Sequence, residues 1–475
     1  IRKNRQIEKL LQTRPVRSLS GIVNVSVLTK PYPCPGQCVY CPYEEGVPKS
    51  YLSGEPAVER AKKLDFNPYV QTERRLKMLR AEGHPLDKID FRIIGGTWSC
   101  YPTGYQEWFI KRCFEACNQE TSKNLKTAQK TNEKADNRII GLSIETRPDF
   151  ITKDEIKKLR NFGVTKVELG VQSVDDELLK KSKRGHTKDA VMMASRLLKD
   201  AGFKISYQMM VNLPGATPEK DIESFREIFS SPHFKPDLLK IYPCALVKEA
   251  PLYEIYLKGD YKPYTKETLV NVIKRIKKIT PYHTRIERII RDIPSPRIIE
   301  GPAKVSNLRQ VVKKQIKKEG WRCKCIRCRE IRNRPTVKEN VLLHRQDYDS
   351  SEGKDIFLTF EDKERKKLYS LLRLRIPSYY FQKNKEHFLS PLESATIIRE
   401  VHTYGEAVPI EEKRVAPQHQ GFGKKLIKIA EGITKKEFKL PKIAVISAVG
   451  TREYYRKMDY TLEGTYMTKR IPLDK

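Results

Sequence analysis

From residue 21 to about residue 243, short β-rich runs ending in Gly, Pro or polar residues alternate with helical segments. This alternation constrains the fold more than any other feature of the chain. Candidate strands cover residues 22–28, 89–94, 139–144, 164–169, 205–211 and 238–242. The helices among them include residues 68–82, 105–117, 153–162, 187–201, 218–229 and 266–279. Strands separated by helices pair in parallel, and right-handed crossovers wind them into a barrel or a doubly wound sheet. Six such units predict a partial (βα)6 TIM-like barrel, short of the full eight, with an open sheet as the alternative. Residues 122–137 are polar and Lys-rich and read as a surface excursion, either a loop or a lid.

Beyond the barrel the pattern changes twice. Residues 285–338 are Pro-rich and basic and read as a connector. Strands at 355–360, 369–376 and 395–404, a helix at 423–433 and a strand at 442–448 then predict a separate α+β unit. The expected organisation is a basic segment at 1–20, the barrel at 21–284, a connector at 285–350 and a second unit at 351–475. No internal repeat is visible.

Charge narrows the partners. The 93 Lys and Arg outnumber the 59 Asp and Glu, a formal net charge of +34. A field of that sign concentrates polyanions, so nucleic acid is the expected partner. A thermophile-like Lys/Glu-rich surface would explain many of the charges but not their imbalance. No apolar stretch approaches the roughly 20 residues needed to span a bilayer. The first residues are basic and lack a hydrophobic signal core, so a cytoplasmic enzyme without a membrane anchor is expected.

Six of the ten cysteines fall in two tight triplets, a spacing that suits metal ligation better than disulfides. Cys34-Pro-Gly-Gln-Cys38-Val-Tyr-Cys41 follows the first strand, at the barrel face where chemistry usually sits. Three thiolates can hold a [4Fe–4S] cube and leave one iron open. S-adenosylmethionine (SAM) can chelate that iron, and an electron then cleaves it to a 5′-deoxyadenosyl radical. A structural zinc or a ferredoxin-type cluster would need a fourth ligand, and none lies nearby in sequence. The C-x3-C-x2-C spacing is similar to the radical SAM superfamily signature. Gly95 and Gly96, ending the second strand, resemble that superfamily's glycine motif for the SAM methionine group. Glu145 and Arg147 end the third strand, Gln172 the fourth and Asn212-Leu-Pro-Gly215 the fifth. Singly each reads as a cap or a turn; together they suggest one pocket.

The second triplet, Cys323-Lys-Cys325-Ile-Arg-Cys328, has a spacing that suits a structural Zn²⁺. Its fourth ligand is not readable, with Cys244 and His344 as candidates and free reduced thiols as the alternative. Arg322, Lys324, Arg327, Arg329, Arg332 and Arg334 surround it and suit phosphate contacts. Further on, Gln418-His-Gln-Gly421-Phe422-Gly423 opens a helix whose backbone N–H groups can hold an anion. It resembles the acetyl-CoA pyrophosphate loop of the GNAT-type N-acetyltransferase fold. In that fold a tyrosine of the following helix, here Tyr454 or Tyr455, approaches the coenzyme sulfur as a general acid. Core packing of one and exposure of the other is the alternative.

Taken together, these segments resemble the family of Elongator catalytic subunits over nearly the whole chain. Ile144-Glu-Thr-Arg-Pro-Asp149, Gly170-Val-Gln-Ser-Val174, Arg184-Gly-His-Thr187, Arg291-Asp-Ile-Pro294, Arg399-Glu-Val-His402 and Gly450-Thr-Arg carry the resemblance with the loops above. It implies C5-carboxymethylation of the wobble uridine in a tRNA anticodon stem-loop, with acetyl-CoA as carbon donor and SAM as radical source. The adenosyl radical would take hydrogen from the acetyl methyl, and the carbon radical would add to C5. Loss of an electron and a proton, then thioester hydrolysis, would complete the product. The resemblance also implies that Glu400, Val401, His402, Thr403, Gly421, Phe422, Gly423, Tyr455 and Lys130 contact acetyl-CoA. It leaves the electron donor unnamed and allows accessory subunits or a homo-oligomer. The first cysteine gap is shorter than in eukaryotic members, which also keep fewer cysteines of the second triplet. Ile1 is no natural start, so some tRNA-binding residues are expected to precede it. The competing reading is a protein lysine acetyltransferase with a structural Fe–S domain.

Overall fold

The computed structural model describes residues 18, 20–332, 340–382, 386–405 and 421–473. The first unit is a sheet of seven parallel strands in sequence order. They are β1 (Val23–Leu28), β2 (Lys88–Ile94), β3 (Arg138–Thr146), β4 (Lys166–Gln172), β5 (Lys204–Val211), β6 (Leu238–Pro243) and β7 (Arg285–Ile289). No pairing joins β7 back to β1, so the barrel stays open along one side. Period-two alternation packs Val23, Val25, Val27, Ile89, Phe91 and Ile93 into the main core. Asn24, Ser26, Asp90 and Arg92 instead line a cavity.

The helices named here are α1 (Pro68–Ala81), α2 (Thr103–Asn118), α3 (Leu125–Asn132), α4 (Lys153–Asn161), α5 (Lys188–Asp200), α6 (Pro218–Ser230) and α7 (Lys266–Ile279). Four of them start on a threonine whose hydroxyl accepts a backbone N–H of the first turn: Thr152, Thr187, Thr217 and Thr265. Each such cap stabilises its helix by about 1 kcal/mol. The expected excursion at 122–137 contains α3, packed on α2. Asn132, fully buried, ties it down: its amide donates to Asn118 at 2.7 Å and accepts from the Ile139 N–H at 2.9 Å.

The six expected strands are joined by a seventh. β7 begins at the residue where a connector was expected. Its sequence Arg-Ile-Glu-Arg-Ile buries only Ile286 and Ile289, and Arg285, Glu287 and Arg288 line the cavity. A strand that presents charge inward does not read as β-rich. Between the units lie α8 (Leu308–Lys318) and α9 (Ile326–Arg329).

The second sheet is mixed and has the order β13-β14-β12-β11-β10-β9-β8. It begins earlier than expected, with β8 (Val341–Ser350), an edge strand whose polar sequence hid it. Next come β9 (Gly353–Asp362), β10 (Leu368–Ile376), β11 (Ala395–Thr403), α10 (Phe422–Lys436), β12 (Lys442–Val445), α11 (Arg452–Arg456), β13 (Thr461–Glu463) and β14 (Tyr466–Arg470). Only β11 and β12 are parallel. Their ladder ends at the Ile398–Val445 pair, so Arg399 to Thr403 continue beyond it.

This sheet caps the end of the barrel where the strands begin. Arg399 donates to Asp237 at 3.0 Å and to the Phe203 carbonyl at 2.7 Å. Arg373 donates to the His283 carbonyl at 2.7 Å, and Arg375 to Asp200 at 2.7 Å. Lys199 pairs with Asp355 at 3.0 Å. All three arginines and Lys199 are buried. Apolar packing crosses the junction too, since Ile397, Ile446, Val449 and Tyr466 belong to the barrel's own core.

Candidate active site

The first cysteine loop starts where β1 ends. Cys34 and Cys41 are half-buried and Cys38 is buried. A Cβ placed on Gly36 would stand 3.5 Å from the Cys34 sulfur and 3.6 Å from that of Cys38. The loop therefore folds as a cradle whose floor only glycine leaves open. Arg184 donates to the Cys38 sulfur at 3.5 Å. Arg147 is held by a bidentate pair to Asp149 at 2.9 and 2.7 Å. Its remaining terminal nitrogen, Nη1, is buried without a partner and lies 2.7 Å from the same Gly36 Cβ position. A buried guanidinium N–H aimed into a cradle of thiolates fits a group with anionic acceptors, as an Fe–S cluster with its SAM carboxylate has.

Around this cradle the strand ends converge. Gly95 and Gly96 have φ of +138° and +93°, and a Cβ on Gly95 would fall 1.9 Å from the Thr29 hydroxyl. Glu145 accepts from the Tyr51 hydroxyl at 2.9 Å and from Gln208 at 3.1 Å. Gln172, at φ +70°, and Tyr40 line the same space. Asn212 does not. Its side chain accepts the Tyr264 N–H at 2.7 Å and donates to the Lys262 carbonyl at 3.3 Å, so it builds a turn.

All of this faces one cavity of about 1200 Å³. It runs from Cys34, Cys38 and Cys41 down the barrel interior to Glu400, Val401, His402 and Thr451 of the second unit. Arg60 and Arg75 line it near β1, and Arg288, Arg291, Arg327 and Arg332 near β7. Midway stand Asp90, Arg92, Lys166, Lys204, Lys240 and Glu287. Glu168 completes the ladder. Burial opposes its ionisation, yet Lys240, Lys166 and Arg92 hold its carboxyl well below the usual range. Glu400 is likewise held low against burial by Lys204 at 3.3 Å and Arg373 at 2.9 Å. Burial pushes His402 down to about 4, so its imidazole is neutral at pH 7.

β11 separates two environments. Glu400 and His402 face the barrel; Val401 and Thr403 also reach toward α10. A Cβ on Gly423 would lie 3.5 Å from the Tyr454 hydroxyl, 3.6 Å from that of Thr403 and 3.7 Å from Val401. Gly421, at φ +68°, caps α10, and Phe422 is buried against Phe360 and Tyr369. Tyr454 is 39% exposed, whereas Tyr455 is buried in the core of the second unit. The hydroxyl that reaches the glycine loop is thus Tyr454's.

The second triplet is built differently. The sulfurs of Cys323, Cys325 and Cys328 all lie within 4.8 Å of one another, a spacing that fits a single ion. Cys323 and Cys325 are buried. Among the described residues neither Cys244 nor His344 joins them. Cys244 packs instead with Val39, Leu246 and Tyr261. The Lys277 ammonium donates to Cys328 at 3.8 Å.

Comparison with known proteins agrees with this geometry. The Radical SAM superfamily model matches residues 32–228, and the Radical_SAM C-terminal domain model residues 236–318. A tRNA uridine(34) acetyltransferase of Methanocaldococcus infernus is 44% identical over 97% of this chain and 88% of its own length. Elongator complex protein 3 of Homo sapiens is 39% identical over 97% of this chain and 86% of its own. The chain belongs to the Elongator complex protein 3 family. It is an enzyme of the radical SAM class, and that class uses SAM and a [4Fe–4S] cluster. A solved structure of a family member, the archaeal Methanocaldococcus infernus Elp3 with an N-terminal deletion, superposes with a TM-score of 0.83. It is 40% identical and covers 95% of this chain and 99% of its own.

Of the residues the family resemblance singles out, Cys34, Cys38, Cys41, Gly95, Gly96, Glu145, Arg147, Gln172, Glu400, Val401 and His402 meet in the cavity. Thr403, Gly423 and Tyr454 gather beside it. Lys130 lies elsewhere, exposed on α3 and outside the cavity lining. Its excursion is tied to the second unit, since Glu133 pairs with Arg452 at 2.9 Å and Arg456 at 2.6 Å on α11. Gln418 lies outside the described residues. Sequence reading missed Tyr51, Gln208 and the interior ladder of Lys166, Glu168, Lys204, Lys240 and Glu287. The signal was present, as charged residues two apart within strands. No helix among the described residues is long and apolar enough to cross a membrane.

Proposed function

We propose that this protein carboxymethylates C5 of uridine 34 in tRNA, using acetyl-CoA as carbon donor and SAM as radical source. The observation that carries the reading is the shared cavity, with the three-cysteine cradle at one end and β11 of the coenzyme unit at the other. When bound, the cluster with SAM supplies the 5′-deoxyadenosyl radical. Cys34, Cys38 and Cys41 would ligate the cluster, leaving one iron for SAM. Arg147 would donate its free Nη1, and Gly95 and Gly96 would let backbone approach the methionine group. Glu145, fixed by Tyr51 and Gln208, would accept from a hydroxyl or amine of the bound group.

For acetyl-CoA, the N-terminus of α10 at Gly421 and Gly423 would take the pyrophosphate. Tyr454 would donate its proton to the coenzyme sulfur as the thioester opens. Arg60, Arg75, Arg288, Arg327 and Arg332 flank the open side of the barrel and would meet RNA phosphates. A wobble base in an anticodon loop is already single-stranded, so little unpairing is required. Cys323, Cys325 and Cys328 would hold a Zn²⁺ that pins the basic segment carrying Arg327 and Arg332.

The test is direct. Reconstituted protein is incubated with tRNA, SAM, acetyl-CoA and reductant, and the nucleosides are analysed. Carboxymethyluridine at position 34 is expected. Unmodified uridine from protein with an intact cluster and bound SAM would refute the reading.

A further inference from the structure

Four aromatic rings run in a row away from the cysteine cradle. Tyr32 stands just before Cys34 in the chain, and its ring centroid lies 4.8 Å from that of Tyr101. Tyr101 stacks on Tyr105 at 5.1 Å, and Tyr105 lies 5.6 Å from Trp108. Tyr105 and Trp108 are three apart on α2 and so share one face of it. The rings at the two ends are the exposed ones, Tyr32 at 37% and Trp108 at 43%, whereas Tyr101 is buried.

The row is held in fixed register with the cradle. The Tyr101 hydroxyl donates to the Lys30 carbonyl at 2.7 Å and meets the Thr29 hydroxyl at 2.8 Å. The Tyr105 hydroxyl accepts the Lys30 N–H at 3.1 Å. Thr29 and Lys30 are the residues that lead from β1 into the cysteine loop. Tyr32 is followed by Pro33, which confines its backbone to extended conformations. Tyr32 and Tyr101 line the same cavity as Cys34, Gly96 and Thr97. Lys30 is exposed, and its ammonium lies 5.0 Å over the Tyr105 ring.

A base that enters this cavity leaves its neighbour in the RNA loop without a stacking partner. A preformed aromatic face beside the cavity replaces that partner and accepts any base, because every base has a π-face. An ammonium next to the face suits the phosphate that links the two nucleotides. The net charge of +34 favours a polyanion over a protein partner at such a surface.

We propose that Tyr32 is a stacking platform for a nucleotide next to uridine 34, with Tyr101, Tyr105 and Trp108 as its fixed backing and Lys30 as its phosphate contact. This rests on the reading that uridine 34 enters the cavity.

The probe is an anticodon stem-loop RNA with 2-aminopurine, whose fluorescence falls on stacking, placed 5′ of uridine 34 in one molecule and 3′ of it in another. Each is bound to reconstituted protein with SAM, and variants are compared at equal cluster content. One of the two probes is expected to dim on binding, to stay bright with Tyr32→Ala and to dim again with Tyr32→Phe. Affinity for the stem-loop should fall at least fivefold in Tyr32→Ala, the lower end of what one base–aromatic stack contributes, and less than twofold in Tyr32→Phe. Lys30→Gln should reduce the slope of log affinity against log salt by about one.

A second measurement needs no substitution. A stem-loop with 5-iodouridine at the dimmed position is irradiated on the unaltered protein, and peptide mass analysis is expected to find the crosslink at Tyr32. A crosslink that bypasses Tyr32, or a 2-aminopurine signal that Tyr32→Ala leaves unchanged, would overturn the platform. Unchanged RNA binding with slower cluster reduction by an acidic flavoprotein would give the rings to an electron donor and overturn it too. Failure of the unaltered protein to bind the stem-loop at all would instead remove the functional reading beneath the platform, and the platform with it.

Discussion

Gly95→Ala is the substitution whose cost the structure defines best. Gly95 has φ +138°, a region that L side chains rarely enter, and such strain costs about 1–3 kcal/mol. The added Cβ would fall 1.9 Å from the Thr29 Oγ1, 3.1 Å from its Cβ and 3.3 Å from its backbone nitrogen. Overpacking of this kind adds about 1–3 kcal/mol. Thr29 cannot simply turn away, because its hydroxyl bonds Tyr101 at 2.8 Å and the backbone contact persists in any rotamer. The loop must lift from β1 and carry Gly96 and Thr97 with it, and Thr97 lies 3.7 Å from the Cys34 sulfur.

The combined cost of about 2–6 kcal/mol predicts a loss of at least tenfold in SAM affinity, since tenfold is about 1.4 kcal/mol. Calorimetry on reconstituted protein measures it. Gly96→Ala serves as the milder comparison, its Cβ meeting only the Lys49 carbonyl at 3.2 Å. Adding Thr29→Ala to Gly95→Ala removes the 1.9 Å clash but not the backbone strain, so affinity should recover in part. A Gly95→Ala protein that binds SAM within twofold of the parent, or a double variant with no recovery, would refute this reasoning.

Tyr454→Phe should lower tRNA-dependent acetyl-CoA turnover at least tenfold with little change in coenzyme affinity; Tyr455→Phe should alter the thermal midpoint and leave turnover near normal. Cys38→Ser should abolish cluster absorbance and SAM cleavage, whereas Cys325→Ser should release a metal ion found by elemental analysis and spare the cluster. Burial pushes Asp221 up to about 7 from its ordinary 3.8, although the Asn212 N–H and Tyr264 hydroxyl bond it. Its contribution to stability is therefore complete below pH 4 and is lost as pH rises toward 7, by about 4 kcal/mol at the upper limit. Asp221→Asn should flatten that slope in denaturant titrations between pH 4 and 8.

What the sequence made legible follows the range of the interactions. The cysteine loop is local, and its spacing, with the resemblance it carries, pointed to a cluster with an open iron. The helix-facing sides of β1 to β6 announced themselves by Val, Ile, Leu and Phe at alternate positions. β7 and β8 did not, because one lines a polar cavity and the other is an edge. The interior ladder was out of reach for a different reason. Lys240 meets Glu168 from 72 residues away through the barrel's strand register, and Lys204 meets Glu400 from 196 away through the docking of the second sheet. The same limit applies to α3, whose polar sequence resembles a loop until Asn132 is seen bonded between Asn118 and Ile139.

The arginines that dock the second sheet bear on how such an enzyme could be divided. Asp237 is wholly buried and its cationic partners, Arg399 and Arg373, both come from the other unit. Asp200 likewise relies on Arg375, and Lys199 on Asp355. Removing one member of a buried pair costs about 3–5 kcal/mol, and a cut between the units would strand several at once. Two separately expressed halves would therefore each carry naked charge on a large apolar face, and would be driven to reassemble or to aggregate. Two units joined in this way hold their buried charges only as one piece.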